Sequence, residues 1–216
     1  MITPPTAEKP SQDQSAVAIE PGFEVAVHAF WEKNRNLVLL VCAAALLVII
    51  GREGWHYYAS EHELSLRDEY AKAAEKPELL AAFAGANSDH VLAGVAYLRL
   101  ADSKYSAGDF RAAADNYQKA ATSLKISALL GRAKVGAAMS QYYNGDRTAG
   151  ETALKTIGAD VSLPASTRVE ADYHLAALAF EAGNSAEVSR LAAEVGKIDA
   201  GNIWAQRTTA LQTSKP

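Results

Sequence analysis

"AYLRLADSKYSAGDFRAAADNYQKA", residues 96 to 120, decides the fold of this chain. Two later stretches share its layout: "VGAAMSQYYNGDRTAGETALKTI" (135 to 157) and "DYHLAALAFEAGNSAEVSRLAAEV" (172 to 195). In each, apolar residues recur at steps of three and four, the period of an amphipathic helix. The pattern stops at Gly-Asp or Gly-Asn and then resumes. The pairs are Gly108-Asp109, Gly145-Asp146 and Gly183-Asn184, spaced by 37 and 38 residues. Glycine enters the left-handed conformation that ends many helices without a Cβ clash. Asp or Asn then caps the next helix by accepting from its free N–H groups. A small residue follows where two antiparallel helices approach: Ala113, Gly150, and Val188 as a larger variant. Tyr117 and Leu154 come next at packing positions. Three copies of this layout predict three helical hairpins in an all-α domain.

These hairpins resemble tetratricopeptide repeats. "GDFRAAADNYQKA" matches the second-helix pattern with Gly108, Asp109, Phe110, Ala113, Tyr117 and Ala120 in register, and Tyr97, Leu100 and Ala101 fit the first helix. The other two copies are degenerate but in phase, at a spacing above the usual ~34 residues. The resemblance implies an α-solenoid that works by a concave groove lined by first helices. Register places Asp102 and Tyr105 there, then Met139, Tyr142 and Tyr143, then Tyr173 and Phe180. An aromatic, methionine-bearing groove holds an extended or helical peptide with little sequence preference. The alternative is that several of these side chains pack against the neighbouring repeat, and Leu98, Val135 and Ala177 read as structural. No Lys/Arg/Asn cluster in the groove would clamp a peptide carboxylate.

Outward from the repeats, "SEHE" (60 to 63) and "TRVE" (167 to 170) read as capping boxes, and Pro77 as a helix start. "GANSDH" (85 to 90) and "VSLPAS" (161 to 166) read as loops. The expected layout is a leading pair at about 61–75 and 77–86, three repeats, and a closing helix at about 200–212. This makes about four hairpins plus a C-terminal capping helix, since a solenoid must cover its end faces.

Upstream lies "NLVLLVCAAALLVIIGREGW", residues 36 to 55. Its fourteen uninterrupted apolar residues, Leu37 to Ile50, rise only ~21 Å as a helix, against a hydrocarbon core of ~30 Å. The flanks extend the span. Arg35 and Arg52 stand ~26 Å apart along a helix axis, and arginines at span ends snorkel toward headgroups. Phe30 and Trp31 precede them; Trp55, Tyr57 and Tyr58 follow, as interfacial aromatics do. Five leucines, three valines and two isoleucines contribute roughly −3 to −6 kcal/mol to insertion. The run is apolar on every face, unlike a surface helix. It reads as a single transmembrane helix anchored by Trp31, Arg35, Leu37, Ile50, Arg52 and Trp55, with membrane lipid as its surroundings. "FEVAVHAFW" (23 to 31) is either an interfacial turn or the early start of the span.

Residues 1 to 22 carry Pro4, Pro5, Pro10 and Pro21 without apolar periodicity, and read as a disordered tail. The apolar run starts too late for a secretory signal and is expected to stay uncleaved. Lys33 and Arg35 before the run, against Arg52 after it, favour a cytoplasmic N-terminus. The expected domains are thus a cytoplasmic tail (1–22), a juxtamembrane and transmembrane helix (23–58), and a repeat domain (59–216).

No catalytic, cofactor or metal site is legible. The five histidines, His28, His56, His62, His90 and His174, contain no i,i+3 or i,i+4 pair, and the only cysteine, Cys42, lies in the apolar run. No phosphate loop and no G-x-S-x-G elbow occurs. His174 reads as a packed or surface residue. A net charge of −4 argues against nucleic acid.

The whole pattern also resembles the YfgM-like ancillary subunits of the SecYEG translocon. The match is "FWEKN" (Phe30 to Asn34), the apolar run, Gly51-Arg52, Trp55-x-Tyr57, and a polar helix with Tyr70. The resemblance implies a non-enzymatic bacterial inner-membrane protein with a periplasmic repeat domain. It implies partners among translocon subunits, a membrane-anchored prolyl isomerase or other periplasmic chaperones, and unfolded clients. The proline-rich extension departs from it. The competing reading is a scaffold for envelope assembly or cell division.

Overall fold

The computed structural model describes residues 21–125 and 127–214; the expected disordered tail lies almost wholly outside the described residues. The described residues form nine helices and no strand: α1 (Pro21–Ala73), α2 (Pro77–Ala86), α3 (Val91–Ser106), α4 (Phe110–Ser123), α5 (Ser127–Tyr143), α6 (Arg147–Ala159), α7 (Ala165–Glu181), α8 (Ser185–Asp199) and α9 (Ile203–Thr213). The chain divides into two units at the boundary between Ser60 and Glu61, within α1.

In the first unit, α1 is long and apolar enough to cross a membrane. Its most apolar window has a mean hydropathy of 2.2, and no residue of that window is buried. Leu37, Leu40, Leu47, Ile49 and Ile50 are all exposed, as are Trp31 and Trp55 near the two ends. An apolar surface on every side is what a helix solvated by lipid carries. Just before the apolar run, the Asn34 side chain donates to the Phe30 carbonyl at 3.0 Å, which satisfies one amide hydrogen inside the helix.

The second unit stacks hairpins. The three turns repeat one geometry: Gly108, Gly145 and Gly183 have φ of +77°, +104° and +72°. The following residue donates its N–H back across the turn, from Asp109 to Lys104 O, Asp146 to Gln141 O and Asn184 to Ala179 O, at 2.8–3.1 Å. This closes the first helix in the manner of a Schellman motif. The same Asp or Asn accepts from the N–H of Ala112, Ala149 or Glu187 and so opens the second helix. One dipeptide therefore ends one helix and starts the next.

The small positions set how closely paired helices approach. A Cβ on Gly150 would lie 2.7 Å from both the Ala138 carbonyl and the Tyr142 Cβ, so α6 rests on the backbone of α5. Leu154 fills the interior one turn on, fully buried among Val135, Leu175, Leu178 and Leu191. Burying such a leucine contributes roughly 1.5–3 kcal/mol. At one end, Leu66 and Ala73 of α1 pack with Leu80, Phe83, Ala96 and Leu100. At the other, Ala205 of α9 covers Val169 and Val195.

Pro77 opens α2, with Lys76 as its N-cap, as the sequence predicts. Two expected helix starts are absent. Ser60 to Glu63 lies inside α1, which continues to Ala73. Glu63 does not reach back to an N-cap; it pairs with His90 at 2.9 Å and with Arg67 at 3.3 Å. Thr167 lies inside α7, whose N-cap is Pro164. The Thr167 side chain is buried against Gly131, where any Cβ would collide with it.

Candidate protein-binding surface

The first helices α3, α5 and α7 carry the residues that register assigns to the groove, and the structure sorts them into three environments. Asp102 is half-buried and committed to structure: Oδ1 accepts from the Tyr117 hydroxyl at 2.7 Å, and Oδ2 pairs with the Arg132 guanidinium at 2.6 Å. One carboxylate thus links α3, α4 and α5. Burial, and then this hydrogen bond, push the Tyr117 hydroxyl far above the usual tyrosine range. Met139 is 6% exposed and belongs to the central core. Its long thioether chain fills space between α5 and its neighbours and presents almost nothing to a partner.

Tyr105, Tyr142 and Tyr143 do come together, joined by Phe110. Tyr105 meets Phe110 edge-on at 5.3 Å between ring centres and Tyr143 at 6.2 Å. Phe110 and Tyr143 lie 5.2 Å apart, and Tyr142 stands perpendicular to Tyr143 at 5.4 Å. Edge and tilted pairs of this kind hold rings in fixed positions. Tyr143 remains 43% exposed while Tyr105, Phe110 and Tyr142 are half-buried. Burial, then the charge of Glu181 and the neighbouring Tyr142, raise the Tyr143 hydroxyl above its ordinary range; burial and Tyr143 do the same for Tyr105. Both hydroxyls are neutral donors at physiological pH. Arg147 sits 5.7 Å over the Tyr142 ring. The result is a rigid aromatic patch with polar edges, placed by two successive Gly-Asp turns. Phe110, the first residue of α4, reads in sequence only as a repeat-consensus position; its adjacency to the turn was the available signal.

Tyr173 belongs elsewhere. Its ring lies 5.0 Å from Trp204 of α9, with His174 at 5.9 Å from the same indole and Arg207 4.7 Å above it. Phe180 is half-buried near the end of α7. Burial holds His174 at a pKa of about 4, so its imidazole is neutral near pH 7. In the first unit, Trp31, Arg35, Leu37, Ile50, Arg52 and Trp55 are all exposed along α1. Among the described residues no group of three or more His, Cys, Asp or Glu gathers as metal ligands would.

Stacked hairpins with a partly exposed aromatic patch define a helical-repeat interaction protein. The chain belongs to the tetratricopeptide repeat-like domain family, whose pattern matches residues 28–161. The match takes in the apolar run of α1 as well as the hairpins up to α6. No curated protein and no solved structure matches the chain.

Proposed function

We propose that this chain is a non-catalytic, membrane-anchored docking protein of protein export. In this reading α1 spans a bacterial inner membrane with its N-terminus in the cytoplasm. The repeat domain stands in the periplasm, where it engages translocon subunits, a prolyl isomerase or chaperone, and emerging unfolded clients. The observation that carries it is the cluster of Tyr105, Phe110, Tyr142 and Tyr143, held rigid yet open at Tyr143. Aromatic anchors of this kind dominate binding energy in protein interfaces. The exposed apolar helix supports the anchor, and "FWEKN" with its flanks supports the translocon as neighbour. Tethering raises the local concentration of partners, so modest affinity suffices.

The test places a photo-crosslinking amino acid at Tyr143 in the intact chain in cells, followed by mass spectrometry. Translocon subunits and periplasmic folding factors are the expected adducts. Division or cell-wall proteins in their place would overturn the export reading in favour of an envelope scaffold.

A further inference from the structure

Alongside α7, between α6 and α8, lies a cleft of about 510 Å³, within the size range of ligand sites. Asp172 of α7 faces it. Asp172 is 7% exposed, yet among the described residues no hydrogen bond or ion pair reaches its carboxylate. Gly158 leaves it room: a Cβ there would collide with Oδ1. Among the described residues no buried side-chain oxygen lacks a partner, so the Asp172 oxygens reach solvent through the cleft and are open to a cationic group that enters it. Burial, then the charge of Glu194, raise the Asp172 pKa to about 6, against the opposing pull of Arg168 and Arg190.

The cations around the cleft differ in commitment. Arg190 is held by Glu187 at 2.5 Å and Glu194 at 2.7 Å. Arg168 donates Nε to the Gly158 carbonyl at 3.0 Å, and among the described residues no carboxylate lies within ion-pair distance of its terminal nitrogens. Lys155 and Lys197 line the cleft, and among the described residues neither ammonium lies within ion-pair distance of a carboxylate. Asp172 is buried while Lys155 and Lys197 are exposed, so the cleft is negative at depth and positive at its rim, apart from Glu194, which is spent on Arg190. A bare cation is repelled before it arrives, and a bare anion meets Asp172 at the bottom. The ligand that fits carries an ammonium flanked by acids. Leu175, Leu191 and Ile198 also line the cleft, an apolar path suited to a four-carbon stem. A second cavity of about 390 Å³ shares Lys155 and Leu175 with the first and continues to Arg147 and Asn184 at the turns. An elongated groove suits a polypeptide rather than a compact small molecule.

We propose that this cleft is a second protein-binding site, which takes a lysine side chain from an acidic segment of a partner, with the ammonium on Asp172 and the flanking carboxylates on Lys155, Arg168 and Lys197. The site is independent of the export reading.

The test uses the full chain in detergent micelles and calorimetric titration with the acetylated, amidated peptide Asp-Glu-Lys-Glu-Asp. The control peptide has norleucine in place of lysine. The lysine peptide is expected to bind at least tenfold more tightly than the control. Asp172→Asn keeps the shape and removes the unpaired charge, so the fold survives; it is expected to abolish that tenfold preference. Lys155→Gln with Lys197→Gln weakens both peptides and flattens the salt dependence. At pH 6 the wild-type titration releases protons, read from the dependence of heat on buffer ionisation, and Asp172→Asn releases none. Equal affinity for the two peptides, a preference that survives Asp172→Asn, or no measurable binding of the lysine peptide would each overturn the proposal.

Discussion

Asp172 and His174 stand two residues apart on α7, and burial moves them in opposite directions, to about 6 and about 4. Each lies well away from its ordinary value, so each couples folding to pH. Asp172 binds its proton more tightly folded than unfolded. Its contribution to stability is complete below about pH 4 and is lost as pH rises through about 6. His174 binds its proton less tightly folded. Its contribution is complete above about pH 6.5 and is lost as pH falls through about 4. The two oppose each other within one window, each at an amplitude on the order of 3 kcal/mol, so the parent protein shows a flattened profile from this pair. Variants separate them. Asp172→Asn is expected to gain stability relative to the parent as pH rises from 4 to 6. His174→Phe is expected to lead most at pH 4 and to lose that lead by pH 6.5. Urea unfolding midpoints at pH 4, 5, 6 and 7 measure both differences. Two flat difference curves would mean that neither group is shifted.

At the scale of the helical hairpin, the turn and the small position act together. Asp146→Ala removes the acceptor for the Ala149 N–H and is expected to cost about 1 kcal/mol. Gly150→Val drives a branched side chain into the backbone of α5 at Ala138 and Tyr142. Helix backbone cannot yield as a flexible side chain does, so the expected cost is larger, about 2–3 kcal/mol. It should come with displaced near-ultraviolet signals from Tyr142 and Tyr143. Chemical denaturation of the two variants gives the ranking, and a Gly150→Val protein as stable as Asp146→Ala would refute the close approach. The hairpins were legible in the sequence because their signal is local: a glycine, a cap, and a packing residue at fixed offsets. Capping boxes misled for the reverse reason. Ser60 and Thr167 fit the pattern, but a helix already in progress consumes both, and only tertiary contacts reveal that Glu63 serves His90 and Thr167 serves Gly131. The aromatic patch was half legible. Register found Tyr105, Tyr142 and Tyr143, whereas the burial of Met139 and the seating of Tyr173 against Trp204 depend on how neighbouring helices fold over them. Asp172 was illegible, since an acid in the middle of an amphipathic helix reads as part of a solvated face until the cleft around it is seen.

For the molecule as a whole, the decisive matter is what surrounds the N-terminal part of α1. None of its most apolar window is buried, and the match to the repeat family begins at residue 28, before the apolar run. The repeat unit, which takes in α1 from Glu61 onward, has its own core, so the part of α1 before Glu61 is not needed to complete it. Large apolar surfaces left in water drive association, so the helix requires lipid or a partner. Lipid makes a quantitative demand. The apolar residues supply roughly −3 to −6 kcal/mol toward insertion, and an aspartate near the centre costs about 2.5–3.5 kcal/mol. One such change is borderline and two exceed the favourable term. Leu40→Asp combined with Leu47→Asp is therefore expected to release the chain from membranes, while the repeat domain keeps its helical circular dichroism because neither residue touches its core. The parent should stay with the membrane pellet after alkaline carbonate extraction, and the double variant should move to the supernatant. If the helix instead lay against a protein partner, the same charges would break a complex without changing how the parent partitions, and the parent would already be soluble and monodisperse in buffer without detergent. That second outcome removes lipid as the solvent of α1 and, with it, the tether on which docking at an export channel depends.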